Sequence, residues 1–361
     1  MTIQQIVDPA NIESELIRIW ETLAKKNKMR ACLFNLIVFN RLSARTDYFR
    51  TVIQKMLEKY PCRVLFISSD PDSSQSYLKT AISVIPLGAE GSIACDTIDI
   101  GVAGPDLARV PFIVFPHLVP DLPISLLWTE DPSKPHPLFE PLSRLASRII
   151  FDSESADNLL KFAETVLALK EKTQIEIADL NWARTEGWRE LLSSTFNSPQ
   201  GISQLKDIAY CTISFNSRET EFFCHLKIQS MYLLGWLSSR LKWKLKKTTQ
   251  ELHFLFESNN KEIDVQINAD YWERLGSGTI ISVDLTTHDQ FIFECARIPT
   301  QYHRVSIQTS SPEKCDLPYQ FVLGQTATGQ SLVKEIITKG TSEHYLDMLR
   351  QLIQLDRDHI C

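Results

Sequence analysis

Few residues of this 361-residue chain occur at spacings typical of catalysis. The stretch GQTATGQS, residues 324–331, has the glycine spacing of a phosphate-binding loop. In such a loop backbone N–H groups hold the phosphates and a lysine reaches them, but Gln330 stands in the position of that lysine. Without this positive charge the stretch would attract phosphate much less strongly. We therefore interpret it as a loop followed by a helix with Ser331 as its N-cap.

Other catalytic and metal-binding patterns are missing from the sequence. It contains no G-x-S-x-G nucleophile motif, no H-E-x-x-H zinc motif and no C-x-x-C pair. Cys295, His303 and Cys315 could be considered as zinc ligands, but their spacing carries little signal. We therefore expect no catalytic residue, no metal and no cofactor.

Tryptophan and arginine side chains are the remaining candidates for function. These two residue types are among the most enriched at protein-binding hot spots. The candidate partner-binding residues are Trp128, Trp182, Arg184, Trp188, Arg189, Trp236 and Arg240. Core packing is the better explanation for each of them when it is considered alone. Taken together, in a sequence without a catalytic constellation, they favour binding of a partner.

Gly235 lies inside a strong predicted helix over residues 219–241. A glycine in a helix interior costs about 1 kcal/mol relative to alanine. We therefore expect Gly235 to permit close approach of another backbone, and Ser239 makes the same side of the helix narrow. The lysine-rich residues 242–247 that follow either complement the helix C-terminus or belong to a binding surface.

Length and composition narrow the class of protein. A chain of 361 residues is longer than one hydrophobic core usually supports, so we expect two domains. A hydrophobic content of 43% and a charged content of 23% are ordinary for a globular protein. The formal net charge of −6 argues against a nucleic-acid partner, because phosphate binding needs a positive field.

No segment of the sequence predicts export or membrane insertion. The N-terminal stretch MTIQQIVDPANIESELIR is acidic and interrupted by Pro9, unlike a signal peptide. The most apolar region, residues 110–128, contains four prolines and therefore does not predict a membrane helix. The eight cysteines are then expected to be reduced thiols in the cytoplasm.

The first half of the sequence alternates between strand and helix signals. Continuous apolar runs predict buried strands, and helical periodicity follows several of them. The predicted strands are residues 32–40, 62–69, 97–102, 124–128 and 148–151, and the predicted helices are residues 12–23, 48–60, 137–147 and 155–170. This order favours an α/β, Rossmann-like domain over residues 1–172, with a mostly parallel sheet and helices on both faces.

Ligands of such sheets usually bind beyond the carboxyl ends of the strands. Here the first buried strand is followed by RLSARTDY, which contains no glycine, so we expect no dinucleotide-binding site. Trp128, at the end of a predicted strand and before Thr129, Glu130 and Asp131, lies either on this functional edge or in the core. The pattern alone favours packing of Trp128 against a neighbouring helix.

The second half of the sequence predicts an α+β domain over residues 173–361. One helix carries Trp182 and Trp188, and the helix at residues 219–241 follows. Period-two segments between residues 251 and 310 predict an antiparallel sheet, on whose solvent-facing side we place Asp284, Asp289 and Glu294. Helices near residues 331–338 and 342–355 end the chain.

Six motifs occur in order along the chain: RACLFNLIVFN, YPCRVLFISS, PHLVPDLPISLLW, SRLASRIIFDS, DLNWARTEGWRELL and LLGWLSSRL. Through them the sequence resembles the OpcA family, the glucose-6-phosphate dehydrogenase assembly proteins. The resemblance covers roughly residues 30–241, and the last two motifs are the most specific. Two positions depart from the family pattern: Tyr60 replaces the usual histidine, and Leu127 precedes Trp128 where many members have paired tryptophans.

The resemblance implies a non-catalytic partner that promotes assembly or raises the activity of glucose-6-phosphate dehydrogenase. That enzyme oxidises glucose 6-phosphate with NADP at the entry to the pentose phosphate pathway. The protein would then be an allosteric activator in carbohydrate metabolism, without a cofactor of its own. The alternative is an enzyme or sensor that binds a sugar phosphate or nucleotide at the sheet edge or at residues 324–331.

Overall fold

The computed structural model describes residues 3–87, 92–221, 225–324 and 329–355. The chain divides into two compact units. The first comprises Met1–Ala156, Leu169–Leu180 and Thr328–Gly340, and the second comprises Asp157–Ala168, Asn181–Ala327 and Thr341–Cys361. The predicted fold class is confirmed, because a mostly parallel sheet with helices precedes a mostly antiparallel one. The domain boundary at residue 172 stays a prediction.

The strands of the described residues are numbered in chain order. Those of the first unit are β1 (Ile3–Val7), β2 (Met29–Arg30), β3 (Asn35–Arg41), β4 (Arg63–Ser69), β5 (Tyr77–Leu87), β6 (Ile93–Ala103), β7 (Ile124–Trp128), β8 (Arg148–Phe151) and β9 (Glu176–Asp179). Those of the second unit are β10 (Ile208–Asn216), β11 (Lys244–Gln250), β12 (His253–Ser258), β13 (Lys261–Asp270), β14 (Ile280–Thr287), β15 (Ile292–Ile298), β16 (Gln301–Ser310) and β17 (Tyr319–Val322).

The α-helices are numbered in the same way. They are α1 (Ile12–Ala24), α2 (Arg45–Leu57), α3 (Val110–Val114), α4 (Phe139–Ser143), α5 (Leu159–Lys172), α6 (Leu180–Arg184), α7 (Glu186–Thr195), α8 (Pro199–Lys206), α9 (Ile228–Leu241), α10 (Gln330–Ile337) and α11 (Glu343–Leu355). Among the described residues, none of these helices combines the length and the apolar character needed to cross a bilayer.

The first sheet has the strand order β1-β5-β6-β4-β3-β7-β8-β9, with β2 beside β6. Its strands are parallel from β6 to β9, and β5 and β1 add an antiparallel edge. β3 and β4 are buried at nearly every position, as expected for strands covered on both faces. Phe49, Val52 and Met56 of α2 pack on these strands, together with Leu332 and Val333 of α10.

The sequence did not predict the long hairpin strand β5. The ladder between β5 and β6 runs from the pair Tyr77–Ala103 to the pair Leu87–Ile93, while the prediction covered only residues 97–102. Antiparallel neighbours need no crossover helix. The alternation of strand and helix on which the prediction depended therefore does not apply to this edge of the sheet.

The second sheet has the order β11-β12-β13-β10-β14-β15-β16-β17, in which only the β10–β13 pair is parallel among the described strands. One face is buried, through residues such as Phe254, Ile213 and Val283. The predicted antiparallel sheet is confirmed, although β10 and β11 were not predicted as strands. β10 alternates apolar and polar residues over IAYCTISFN, which is the available sequence signal.

The helix α9 begins at Ile228 and not near residue 219 as predicted, and residues 222–224 lie outside the described residues. All residues of α9 up to Ser238 are buried. A Cβ added at Gly235 would lie 3.2 Å from Cγ and 3.4 Å from the carbonyl oxygen of Met348 in α11. The prediction that Gly235 permits close approach of another backbone is therefore confirmed.

Candidate functional site

Trp128 ends β7 at the carboxyl edge of the first sheet and is 1% exposed. Its ring stacks on Phe39 of β3, with 4.2 Å between centroids and 13° between planes. His136 and Phe139 contact the indole in edge-on geometry, at 5.3 Å and 4.9 Å between centroids. Burial at this place lowers the pKa of His136. Trp128 is thus part of the core at the end of the sheet.

Polar side chains beside Trp128 are hydrogen-bonded within the unit. Nδ2 of Asn40 donates to Oγ1 of Thr46 at 2.8 Å, and Oγ1 of Thr129 donates to the carbonyl oxygen of Phe39 at 3.0 Å. These bonds join the end of β3, the start of α2 and the segment after β7. Dinucleotide-binding proteins have a glycine-rich turn open to phosphates at the corresponding place.

A buried ion pair completes this edge of the first sheet. Arg45, in the first turn of α2, pairs with Asp152, which follows β8. Asp152 is fully buried and Arg45 nearly so. The N-terminus of this helix is where nucleotide-binding folds leave backbone N–H groups available for an anion. Here one of those N–H groups, that of Arg45, donates to Oγ of Ser43 at 3.2 Å.

Trp182 and Arg189 form a stacked pair in the second unit. Cζ of Arg189 lies 3.4 Å from the centroid of the Trp182 ring, and its Nη1 donates to the Trp182 carbonyl oxygen at 2.7 Å. Trp182 is buried, and its ring centroid lies 5.7 Å from that of Tyr345 in α11. The pair thus connects α6, α7 and α11, and the single helix predicted here is two short ones.

Trp188 and Arg184 are also held by contacts within the second unit. Trp188 is 2% exposed, and Cζ of Arg297 in β15 lies 5.6 Å from its ring centroid. Nε of Arg297 donates to the carbonyl oxygen of Ile280 at 2.6 Å, and burial lowers the pKa of this guanidinium to about 10. Nη1 of Arg184 donates to Oδ1 of Asn181 at 2.7 Å.

Trp236 and Arg240 lie one turn apart on α9 but in different surroundings. Trp236 is buried, whereas Arg240 is exposed, with its Nη1 3.5 Å from Nδ1 of His344. Arg240 lines a surface depression of about 550 Å³ together with Lys206, Lys242 and Lys244. Sequence reasoning missed Lys206, because the end of α8 meets the end of α9 only in the folded unit.

The depression around Arg240 carries positive charge. Among the described residues, none of its four cations lies within ion-pair distance of a carboxylate. Glu257 also lines the depression and is paired with Lys246. Two helix C-termini face these cations, but each supplies only about half a negative charge. The depression is therefore suited to an anion.

The seven candidate residues are divided between the two units. Trp128 belongs to the first unit, while the other six form separate contacts in the second unit. Burial of the four tryptophans favours a role in holding helices in place, whereas Arg184 and Arg189 are half-buried and Arg240 is exposed. Their part in binding a partner stays a prediction.

The loop-like motif GQTATGQS lies partly outside the described residues, at positions 325–328. α10 begins at Gln330 with Gly329 in the N-cap position, so the prediction that Ser331 is the N-cap is wrong. Gly329 has a φ of 85°, and a Cβ added there would lie 2.8 Å from the carbonyl oxygen of Val52 in α2. Close packing on α2 accounts for this glycine without a phosphate.

The possible zinc ligands are also separate. Cys295 is buried in β15, whereas His303 and Cys315 are exposed on other segments. Across the part of the chain that the structure describes, no group of three potential ligands could hold a metal ion.

Two family descriptions match the chain in sequence. The glucose-6-phosphate dehydrogenase subunit N-terminal domain matches residues 54–167, and the C-terminal domain of the same subunit matches residues 175–355. The chain belongs to the OpcA family of glucose-6-phosphate dehydrogenase subunits. The resemblance drawn from the six motifs is confirmed, and the match extends over the β-rich region that those motifs did not cover.

Individual OpcA relatives are distant and longer than the matched region. The putative OxPP cycle protein OpcA of Nostoc punctiforme is 27% identical over 51% of this chain and 38% of its own length. Its counterpart in Synechococcus elongatus is 26% identical over 51% of this chain and 40% of its own length. The chain therefore matches well under half the length of these relatives.

The solved structures that align with the chain are more distant still in sequence. Levoglucosan dehydrogenase, in complex with NADH and L-sorbose, aligns over 90% of this chain and 96% of its own. The TM-score is 0.48 and the identity 9%, so no activity follows from this similarity.

Proposed function

We propose that this protein is a non-catalytic assembly factor that binds glucose-6-phosphate dehydrogenase and favours its active oligomer. The observation that supports the proposal is membership of the OpcA family over both units of the chain. The proposed setting is the oxidative pentose phosphate pathway in the cytoplasm.

A non-catalytic role is supported by the carboxyl edge of the first sheet. Enzymes with this kind of sheet bind their ligands there. In this chain Trp128, the Asn40–Thr46 hydrogen bond and the Arg45–Asp152 ion pair occupy that edge. The protein would then act on its partner through a surface.

Activation of the dehydrogenase requires a difference in affinity. A bound protein shifts a conformational equilibrium only as far as it binds one state more tightly than the other. We therefore propose that the chain binds the active oligomer more tightly than the inactive form. The buried tryptophans would keep the docking surface in shape, and Arg240 would contribute directly.

A second candidate function is sensing of a phosphorylated metabolite. The observation that favours it is the basic depression lined by Lys206, Arg240, Lys242 and Lys244. Its volume of about 550 Å³ is within the usual range for small-molecule sites.

The first experiment mixes the protein with glucose-6-phosphate dehydrogenase from the same organism. Light scattering after size exclusion gives the mass of the species, and the initial rate is measured at low glucose 6-phosphate. The proposal expects a co-eluting complex and a raised rate. Two separate peaks with an unchanged rate, under reducing and oxidising conditions, would refute it. If glucose 6-phosphate, NADP or ATP at millimolar concentration then raised the melting temperature, the second candidate would be favoured.

A further inference from the structure

The outward face of the second sheet is lined by side chains that the core does not use. In β10, β13, β14 and β15, buried residues alternate with residues that face outward. Tyr210, near the middle of this face, is 59% exposed. The face is therefore open to solvent at Tyr210, whereas Thr212 and Asp284 beside it are half-buried.

The charges on the four middle strands of this face have one sign. Within β10, β13, β14 and β15, the charged side chains at outward positions are the carboxylates Glu262, Asp264, Asp270, Asp284 and Glu294. The flanking strands add cations to the same face, Lys244 and Lys247 of β11 and Arg304 of β16. Asp284 and Glu294 face outward as predicted, whereas Asp289 lies in the turn after β14. The strands between them contribute small polar residues such as Thr212 and Ser282, which keep the face flat.

Two carboxylates are placed directly opposite each other at its centre. Asp284 of β14 is the register partner of Glu294 of β15. Like charges opposite each other destabilise a sheet. Among the described residues, neither has a cation within ion-pair distance, and burial together with the charge of Glu294 raises the pKa of Asp284. Folding alone gives no reason to keep this pair.

The size of the face is suited to a stable protein–protein contact. With about 4.8 Å between strands and about 3.4 Å per residue, eight strands of six residues span on the order of 800 Å². A standard interface buries about 800 Å² on each partner. The whole face is thus large enough to serve as one side of an interface, and the four acidic strands supply about half of that area, at its centre.

A second copy of this chain is a poor occupant of the face. In a two-fold contact centred on Asp284 and Glu294 the same patch meets itself, so the carboxylates of one copy would oppose those of the other. Juxtaposed like charges disfavour such a contact. A partner with lysine or arginine side chains on a flat surface would instead neutralise Asp284 and Glu294.

We propose that the outward face of the second sheet is the surface that docks a basic surface of the dehydrogenase, with Asp284 and Glu294 at its centre. The inference rests on the proposed function and adds the place of contact. An arginine from the partner can donate hydrogen bonds to both carboxylates at once because its guanidinium carries several donors in a fixed plane.

The test compares the full chain with the charge-reversal variant Asp284→Lys/Glu294→Lys, each titrated with the dehydrogenase. We expect the reversal to weaken the complex at least about tenfold at low salt. The neutral variant Asp284→Asn/Glu294→Gln should lie between the two. The affinity of the unchanged chain should fall as salt is added, because added ions screen the contact.

The matched control reverses two exposed helix carboxylates outside the second sheet, Glu21→Lys/Glu190→Lys, and should leave the affinity unchanged. Thermal unfolding confirms that each variant is folded. A complex of unchanged affinity with the Asp284→Lys/Glu294→Lys variant would overturn the docking face and leave the proposed function intact. Failure of the unchanged chain to bind would overturn both. If the unchanged chain self-associated and the Asp284→Lys/Glu294→Lys variant did not, the face would be assigned to a second copy of the chain and the proposal would be overturned.

Discussion

The central strands of the first sheet bury both faces, whereas the second sheet buries one. In β3 and β4 nearly every side chain is in the core, and Trp128 closes the carboxyl edge of the neighbouring β7. In β14 and β15 the inward residues are buried, and the outward ones range from the carboxylates Asp284 and Glu294 to the apolar Ile292. Packing therefore determines almost every residue in the middle of the first sheet but only half of them in the second.

This difference indicates where function can lie. A side chain that packs in the core cannot exchange its contacts for those of a binding partner without loss of stability. The centre of the first sheet is therefore suited to a scaffold. The outward side chains of the second sheet are free of that constraint. Like-charged neighbours such as Asp284 and Glu294 are tolerated there because the rest of the sheet holds the strands together.

The largest effect is expected in the first sheet. Trp128→Ala removes a fully buried ring that stacks on Phe39, and the free energy of unfolding should fall by about 3–5 kcal/mol. Trp272→Ala, which removes a half-buried indole from a loop, should cost much less. Chemical denaturation measures both values. Trp128→Phe should keep its affinity for the dehydrogenase, and a loss of affinity in that folded variant would make Trp128 a partner contact after all.

An intermediate effect is expected where two helices of the second unit meet. Gly235→Val places a branched side chain against Met348 and should lower the free energy of unfolding by about 1–3 kcal/mol. Gly235→Ala should be close to neutral, because a gain in helix propensity of about 1 kcal/mol offsets a small displacement of Met348. In a double-mutant cycle, Gly235→Val should lower the free energy of unfolding less in a Met348→Ala background than in the unchanged chain. Additive effects would mean that Met348 does not limit the space at Gly235.

The smallest effect, of opposite sign, is expected on the outward face. The pKa of Asp284 is raised in the folded state, so deprotonation costs more there than in the unfolded chain. Asp284→Asn should therefore raise the free energy of unfolding at neutral pH, by about 0.2–1 kcal/mol. The gain should shrink as the pH falls through the raised pKa, and it should vanish below about pH 4, where the unfolded carboxyl is also protonated.

The pH dependence is measured by denaturation of the variant and the unchanged chain across this range. Glu190→Gln, at an exposed position without an ion pair in the described structure, should give no such pH-dependent difference. A loss of stability in Asp284→Asn at neutral pH would mean that the charged carboxylate stabilises the fold, contrary to the comparison of the two sheets.

The sequence predicted the buried strands β7 and β8 with their observed bounds, because continuous apolar runs flanked by turn residues are local signals. It also predicted the period-two strands of the second sheet and the helix that contains Gly235. It missed the hairpin strand β5 and the central strand β10. Edge strands and half-polar strands carry a weak local signal, and their identity depends on which neighbour they pair with.

For the candidate site, the sequence by itself determined residue types, their order and the absence of catalytic motifs. Tertiary structure decided which of them are exposed. The partners Arg45 and Asp152 are 107 residues apart, and Lys206 joins Arg240 only when two helices end at the same place. The burial of a side chain and the charges around it depend on contacts between distant segments of the chain. Periodicity and spacing could therefore single out Trp128 and Asp284. They could not show that Trp128 lies in the core or that Asp284 lies opposite another carboxylate.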